Sequence, residues 1–219
     1  MKSKQGIIFD MDGTLWDSAA QVAESWSQVV AEQYSPEKVI TEKDLQSVMG
    51  LTMDKLAQAL FPELPGQQRM ELLEACCQTE NEYLRKNGGR LYPDVEETLK
   101  ILQKKYPLYI VSNCQSGYIE AFLEYYRFES YFQDIECFGN NGLKKGENIR
   151  KVVERNNLED AVYVGDIQGD FDASAEAGIK FIHAAYGFGN IRQQTASIQK
   201  FSELPKIVES VLVSASFSE

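Results

Sequence analysis

Apolar residues in this chain follow two rhythms. Short, mostly apolar runs occupy residues 6–9, 108–111, 161–164 and 179–182, the last broken only by Lys180, with a weaker run at 134–137. Runs apolar on both faces predict buried parallel strands. The first four lead into polar or glycine-bearing turns: Asp10, Ser112-Asn113, Gly165-Asp166 and the Tyr186-Gly-Phe-Gly189 stretch. Between them the period lengthens to that of a helix over residues 95–105, 118–126, 147–156 and 171–177. Val95, Leu99 and Leu102 form the apolar side of the first, entered through Pro93-Asp94, and Gly178 stops the last. Strand–helix alternation with short links predicts an α/β fold with a doubly wound, mostly parallel sheet.

One stretch departs from the alternation. From Trp16 to Gly89 only helical periodicity is present, broken near residues 34–36, at Gly50 and near 62–66. Val22, Trp26, Val29 and Val30 form one apolar stripe, and Met70, Leu73, Cys77 and Leu84 another. The pattern predicts a catalytic core made of residues 1–15 and 90–219 and an inserted helical cap domain of residues 16–89. Gly88-Gly89 would be the return hinge.

Charge and composition narrow the possibilities. The 219 residues carry a net charge of -11, and the basic ones are scattered. Nucleic acid and anionic membranes are therefore poor partners. No apolar run approaches the roughly 20 residues needed to span a bilayer. The apolar run after Met1–Gln5 is too short for a signal peptide, so a cytoplasmic protein is expected. Cys76, Cys77, Cys114 and Cys137 match no zinc spacing and read as small hydrophobes, with Cys114 close enough to a strand end to line a pocket. The single histidine, His183, sits in an apolar strand and reads as structural. An acidic protein that handles an anion needs a local cation.

The strand ends supply the chemistry. In an open parallel sheet ligands bind at the carboxyl ends of the strands. That rule brings together four carboxylates (Asp10, Asp12, Asp166, Asp170), the hydroxyls of Thr14 and Ser112, the amide of Asn113, and Lys144 or Lys145. Four clustered carboxylates demand a cation, and an all-oxygen donor set suits Mg2+. One carboxylate can then attack phosphorus, and another, two residues on, can protonate the leaving oxygen and later activate water. A lysine and hydroxyls would hold the charge of the transferring phosphoryl group. A calcium loop starting at Asp10 would want a third and a fifth oxygen ligand and a distal glutamate, and Leu15 and Trp16 do not fit it. Asp172 reads as a helix-capping residue.

With these residues in place, the chain resembles the haloacid dehalogenase-like superfamily along essentially its whole length. Phe9-Asp10-Met-Asp12-Gly-Thr-Leu15 matches the first motif of that family, Val111-Ser112-Asn113 the second, and Val164-Gly165-Asp166-Ile-Gln-Gly-Asp170 the fourth. The third is a single lysine, for which Lys145 is best placed and Lys144 the fallback. The resemblance implies a Rossmannoid sheet with a helical cap. It implies Asp10 as nucleophile and Asp12 as general acid/base. Thr14, Ser112, Asn113 and Lys145 would bind phosphate, and Asp10, the Asp12 carbonyl and Asp166 would ligate magnesium, with Asp170 in support. The expected substrate is a small phosphorylated metabolite, as in phosphoglycolate phosphatases. A β-phosphoglucomutase-like phosphotransferase is the alternative, and a catalytically silent binding module a third. Against the mutase, Met53 stands in the cap loop near the position where such enzymes carry an arginine, although Lys55 is close.

Overall fold

The computed structural model describes residues 4–213. Residues 1–3 and 214–219, assigned above to the core, lie outside the described residues. β1 (Gln5–Phe9) fully buries Ile7, Ile8 and Phe9, as a strand covered on both faces must. A tight loop then leads to β2 (Trp16–Asp17), followed by α1 (Ala19–Gln33), α2 (Glu42–Gln46), α3 (Met53–Leu60) and α4 (Gly66–Asn87). β3 (Arg90–Leu91) pairs antiparallel with β2, Trp16 opposite Leu91 and Asp17 opposite Arg90. The chain thus leaves and re-enters the sheet domain through a two-stranded ribbon, too short to show in the hydrophobic pattern.

Alternation resumes with α5 (Val95–Leu102), β4 (Leu108–Ser112), α6 (Tyr118–Tyr126), β5 (Phe132–Cys137) and the short α7 (Phe138–Asn141). Then come α8 (Lys145–Arg155), β6 (Asp160–Gly165), α9 (Gln168–Ala177), β7 (Lys180–Ala184), β8 (Ala196–Ile198) and α10 (Leu204–Val213). Six strands form one sheet in the order β5-β4-β1-β6-β7-β8, and every pairing is parallel. This is the doubly wound Rossmannoid arrangement with a helical cap inserted after its first strand.

Side chains alternate across the sheet. Ile7, Phe9, Ile110, Val162, Val164 and Ile182 pack on one side, against the apolar faces of α5, α6 and α10. Ile8, Tyr109, Val111, Tyr163 and Phe181 face the other, against Ile149 and Val152 of α8 and Ala173 of α9. From β1 the chain winds outward through β4 and β5, then crosses back to β6 on the other flank. Loops after β1 and β6 therefore diverge, which opens a crevice at their carboxyl ends.

Three details differ from the hydrophobic pattern. α9 begins at Gln168, not at Phe171, because the Asp170 carboxylate folds back to accept the Asp166 and Ile167 amides at its N-terminus. β8 and α10 extend the core beyond the predicted elements; Leu204, Val208 and Leu212, fully buried at four-residue spacing, carried that signal. In the cap, the α1 stripe Val22, Trp26, Val29 and Val30 is buried. The α4 stripe is not as drawn: Met70 is 46% exposed in an open groove, and Leu72, Cys76 and Glu80 join Leu73, Cys77 and Leu84 inside.

Candidate active site

Asp10 follows β1 directly, its N–H donating to the Val164 carbonyl across the sheet (2.9 Å). β-pairing sets Phe9 opposite Ile110 and Val164, so Ser112 and Asp166 follow at the same edge. The next residues turn sharply: Thr14, Leu15 and Trp16 all direct their N–H groups to the Met11 carbonyl. Gly13 allows this turn, with φ +82°, and a Cβ there would collide with the Asp166 carboxylate. Tyr186 pins the loop from above, its hydroxyl donating to the Thr14 carbonyl (2.7 Å).

Lys145, the first residue of α8, reaches into this edge and is itself 4% exposed. Its Nζ donates to Asp10 Oδ1 at 3.0 Å and to Asp170 Oδ1 at 2.6 Å. Lys144 points into solvent. Asp170 Oδ2 accepts from the Asp166 and Ile167 amides. Asp166 Oδ2 accepts from Phe188 N–H (2.7 Å), and the His183 ring contacts the Asp166 carbonyl (3.1 Å). Oxygen atoms of Asp10, Asp166 and Asp170 all lie within 4.8 Å of one another.

Half-buried Asp12 is held apart from that cluster. Its Oδ1 accepts from the Ser18 hydroxyl at 2.8 Å and the Tyr118 hydroxyl at 2.7 Å. Ser18 and Tyr118 also contact each other. Neither was visible as a site residue in the sequence: Ser18 lies six positions beyond Asp12, and Tyr118 is brought in by α6 from 106 residues away.

Burial dominates the electrostatics. It pushes Asp10 up to about 7, with the Asp170 charge adding to the rise and Lys145 opposing it. Asp166 is raised well above the usual carboxylate range by burial, then by Asp170 and Asp10. Burial also lifts Asp12 to about 6 against the pull of its Tyr118 and Ser18 hydrogen bonds. Burial works against the Lys145 charge, but Asp10 and Asp170 more than offset it and hold the ammonium protonated. One lysine does not neutralise three carboxylates. A hard divalent cation fits the donor set, which is all oxygen, and would relieve the repulsion. The Thr14 hydroxyl is buried without a partner among the described residues, as an atom reserved for a ligand would be.

The profile of the haloacid dehalogenase-like hydrolases matches residues 7–184. The chain belongs to that family. Solved structures show the same fold in other haloacid dehalogenase-like proteins. A putative haloacid dehalogenase-like hydrolase from Bacteroides fragilis superposes with a TM-score of 0.79 at 21% identity, over 93% of this chain and 100% of that one. A predicted phosphoglycolate phosphatase from Haemophilus somnus 129PT gives 0.77 at 23% identity, over 95% and 99%. In sequence, this hydrolase is 29% identical over 227 residues to a phosphoglycolate phosphatase of Vibrio vulnificus (strain YJ016), covering 95% of this chain and 96% of that protein. It is 27% identical over 220 residues to the phosphoglycolate phosphatase of Aquifex aeolicus (strain VF5), covering 94% and 98%.

The remaining sequence-predicted residues of this haloacid dehalogenase-like hydrolase sit as follows. Ser112 is buried at the end of β4. Asn113 donates its side-chain amide to the Gly50 carbonyl of the cap (2.8 Å), which ties its Nδ2 to the cap loop. Exposed Asp172 accepts from the Gln168 side chain within the first turns of α9 and stands outside the carboxylate cluster. All four cysteines are free, and Cys114 lines the cavity between sheet and cap. Among the described residues, no helix is long and apolar enough to cross a membrane.

Proposed function

We propose that this chain is a magnesium-dependent phosphomonoesterase acting on a small phosphorylated metabolite through an aspartyl-phosphate on Asp10. The observation that carries the reading is the division of labour among carboxylates. Asp10 is bonded to Lys145 beside Asp166 and Asp170, whereas Asp12, two residues on, is oriented separately by Ser18 and Tyr118. Two carboxylates held in different environments are what a nucleophile and an acid/base require.

The ionised Asp10 attacks phosphorus, and the ester P–O bond breaks. Both hydrogen bonds to Asp12 fall on Oδ1, which leaves Oδ2 to deliver a proton to the departing alkoxide. A water molecule then attacks the phosphoryl group, losing its proton to Asp12, and inorganic phosphate departs with Asp10 regenerated. A group lifted to about 6 can both give and take a proton near neutrality. Lys145, Thr14, Ser112 and the backbone N–H of Asn113 hold the phosphoryl oxygens. Magnesium, held by Asp10, the Asp12 carbonyl and Asp166, would supply the positive charge that binds the phosphate beside Asp10. Asp170 supports that site, since its oxygens are already taken by Lys145 and two backbone amides.

The relatives support the reaction class of a phosphatase. A mutase reading is weakened at the first turn of α3, where these residues lie in a helix and not in a loop: Met53 lines the cavity, Lys55 is exposed, and a thioether cannot bind a second phosphate. Free cysteines suit a cytoplasmic setting. The test is phosphate release from small phosphate monoesters with magnesium present. EDTA is expected to abolish it, and a rate untouched by EDTA would overturn the metal assignment.

A further inference from the structure

The cavity between the sheet and the cap opens from Asp12 and Ser112 toward α1 and α4 and measures about 40 Å3, room for a few non-hydrogen atoms. A phosphate ester held at Asp10 would direct its leaving group there. Most of its wall is apolar, supplied by Val22, Leu45, Met49, Met53 and Leu56. At its cap end lies Glu80, a carboxylate 4% exposed and without a salt-bridge partner among the described residues. No lysine, arginine or histidine lines the cavity.

Its hydrogen-bonding groups are biased in one direction. Trp26 Nε1 already donates to Glu80 Oε2 (2.6 Å), and Gln115 donates to Asn81 Oδ1 (3.1 Å). Tyr118 spends its hydroxyl proton on Asp12, and Asn113 donates to Gly50. Acceptors are what remain: Asn113 Oδ1 is buried with no partner, and Glu80 keeps its second oxygen. A leaving group entering this space meets apolar surface and these acceptors; the donors beside them are the Ser112 hydroxyl at the sheet end and the proton that Glu80 holds near neutrality, and there is no cation.

We propose that Glu80 and Asn113 select substrates whose short leaving group ends in a hydrogen-bond donor, a hydroxyl or an ammonium, and reject one that ends in a carboxylate. The inference rests on the phosphatase reading above and adds a substrate class to it. Burial with no cation nearby pushes Glu80 itself up to about 8. The same desolvation would act on a substrate carboxylate placed beside it, with no cation to offset the loss. The named activity of the relatives therefore does not carry over to the leaving group this pocket takes.

Four esters of similar size separate the possibilities: 2-hydroxyethyl phosphate, 2-aminoethyl phosphate, phosphoglycolate and ethyl phosphate. With magnesium-loaded wild type, kcat/KM for the hydroxyl or the ammonium ester is expected to exceed that for phosphoglycolate at least tenfold. Which of the two leads distinguishes a neutral from a cationic leaving group. Glu80→Gln, near-isosteric and still able to accept from Trp26, is expected to shrink that ratio severalfold, mainly through KM. Phosphoglycolate turned over as well as the donor-bearing esters by wild type overturns the inference and leaves the phosphatase reading intact; this arm does not depend on any variant folding. A folded Glu80→Gln with an unchanged ratio and unchanged KM values makes Glu80 structural and overturns its selecting role. No release from any ester, ethyl phosphate included, overturns the phosphatase reading and this inference with it.

Discussion

Two regions of this hydrolase bury carboxylates, and they handle the cost in opposite ways. At the sheet edge, Asp10, Asp166 and Asp170 share Lys145 and a set of backbone N–H groups, and their clustered oxygens suit a cation. In the cap, Glu80 has one indole and one amide for company and no cation. Charge that is compensated can stay ionised and do chemistry; charge that is not must take a proton or a ligand. On the proposed reading, the contrast lets one face of the cavity grip phosphate while the other discriminates among leaving groups.

The harshest way to break the comparison is to remove the proposed nucleophile. Asp10→Asn keeps the size of the side chain but not its charge, and is expected to lower kcat about 10⁴-fold or more. Steady-state phosphate release with magnesium present measures it, and near wild-type turnover would end the aspartyl-phosphate mechanism.

Removing the compensating charge comes next. Lys145→Ala leaves Asp10 and Asp170 buried without their partner, and breaking such a pair costs about 3–5 kcal/mol of stability. Exposed Lys144→Ala should stay within about 0.5 kcal/mol of wild type. Urea unfolding of both variants decides the assignment; a larger loss at Lys144 would shift it by one residue.

Proton linkage separates the two regions directly. Asp10, Asp12 and Glu80 are raised to about 7, 6 and 8 in the folded chain, from 3.8, 3.8 and 4.5. Between those values the folded state holds more protons than the unfolded one, so the contribution of these groups to stability falls as pH rises. It is fully present below about pH 4 and lost as pH climbs through 6 to 8. Magnesium bound at the proposed site would stabilise ionised core carboxylates and should flatten the part due to Asp10. It should leave the part above pH 7 that belongs to Glu80, which Glu80→Gln removes. Melting temperature against pH, with and without magnesium, reads both; a metal effect that erases the entire slope would merge the two regions into one.

The gentlest probe touches the group between them. Tyr118→Phe removes one of the two hydrogen bonds to Asp12 Oδ1, a loss of about 0.5–1.5 kcal/mol in positioning. That predicts a fall in kcat of roughly threefold to tenfold with KM little changed. An unchanged kcat would mean that Ser18 alone orients Asp12.

The linear chain determined the parts of this protein that depend on neighbours in sequence. Uninterrupted apolar runs specified β1, β4 and β6, because a strand covered on both faces has few polar positions to spare; β5 and β7, at the flanks, carry polar residues and read more weakly. Asp10, Asp12, Gly13 and Thr14 were legible because the turn after β1 gathers two carboxylates and a hydroxyl within five residues, the roles proposed for nucleophile, acid and phosphate ligand, and Gly13 tolerates its φ and the approach of Asp166. Tertiary structure decided what depends on distance in space. It settled which of two adjacent lysines faces inward, through the phase of α8 against β1 and β6. It brought Tyr118 from α6 to Asp12, and Glu80 of α4 to Trp26 of α1, pairings separated by 106 and 54 residues. It also turned Met70 outward and Glu80 inward on one helix, against their hydrophobicity. Periodicity reports which face a helix can bury; only packing reports which polar group that face is made to keep, and for what ligand.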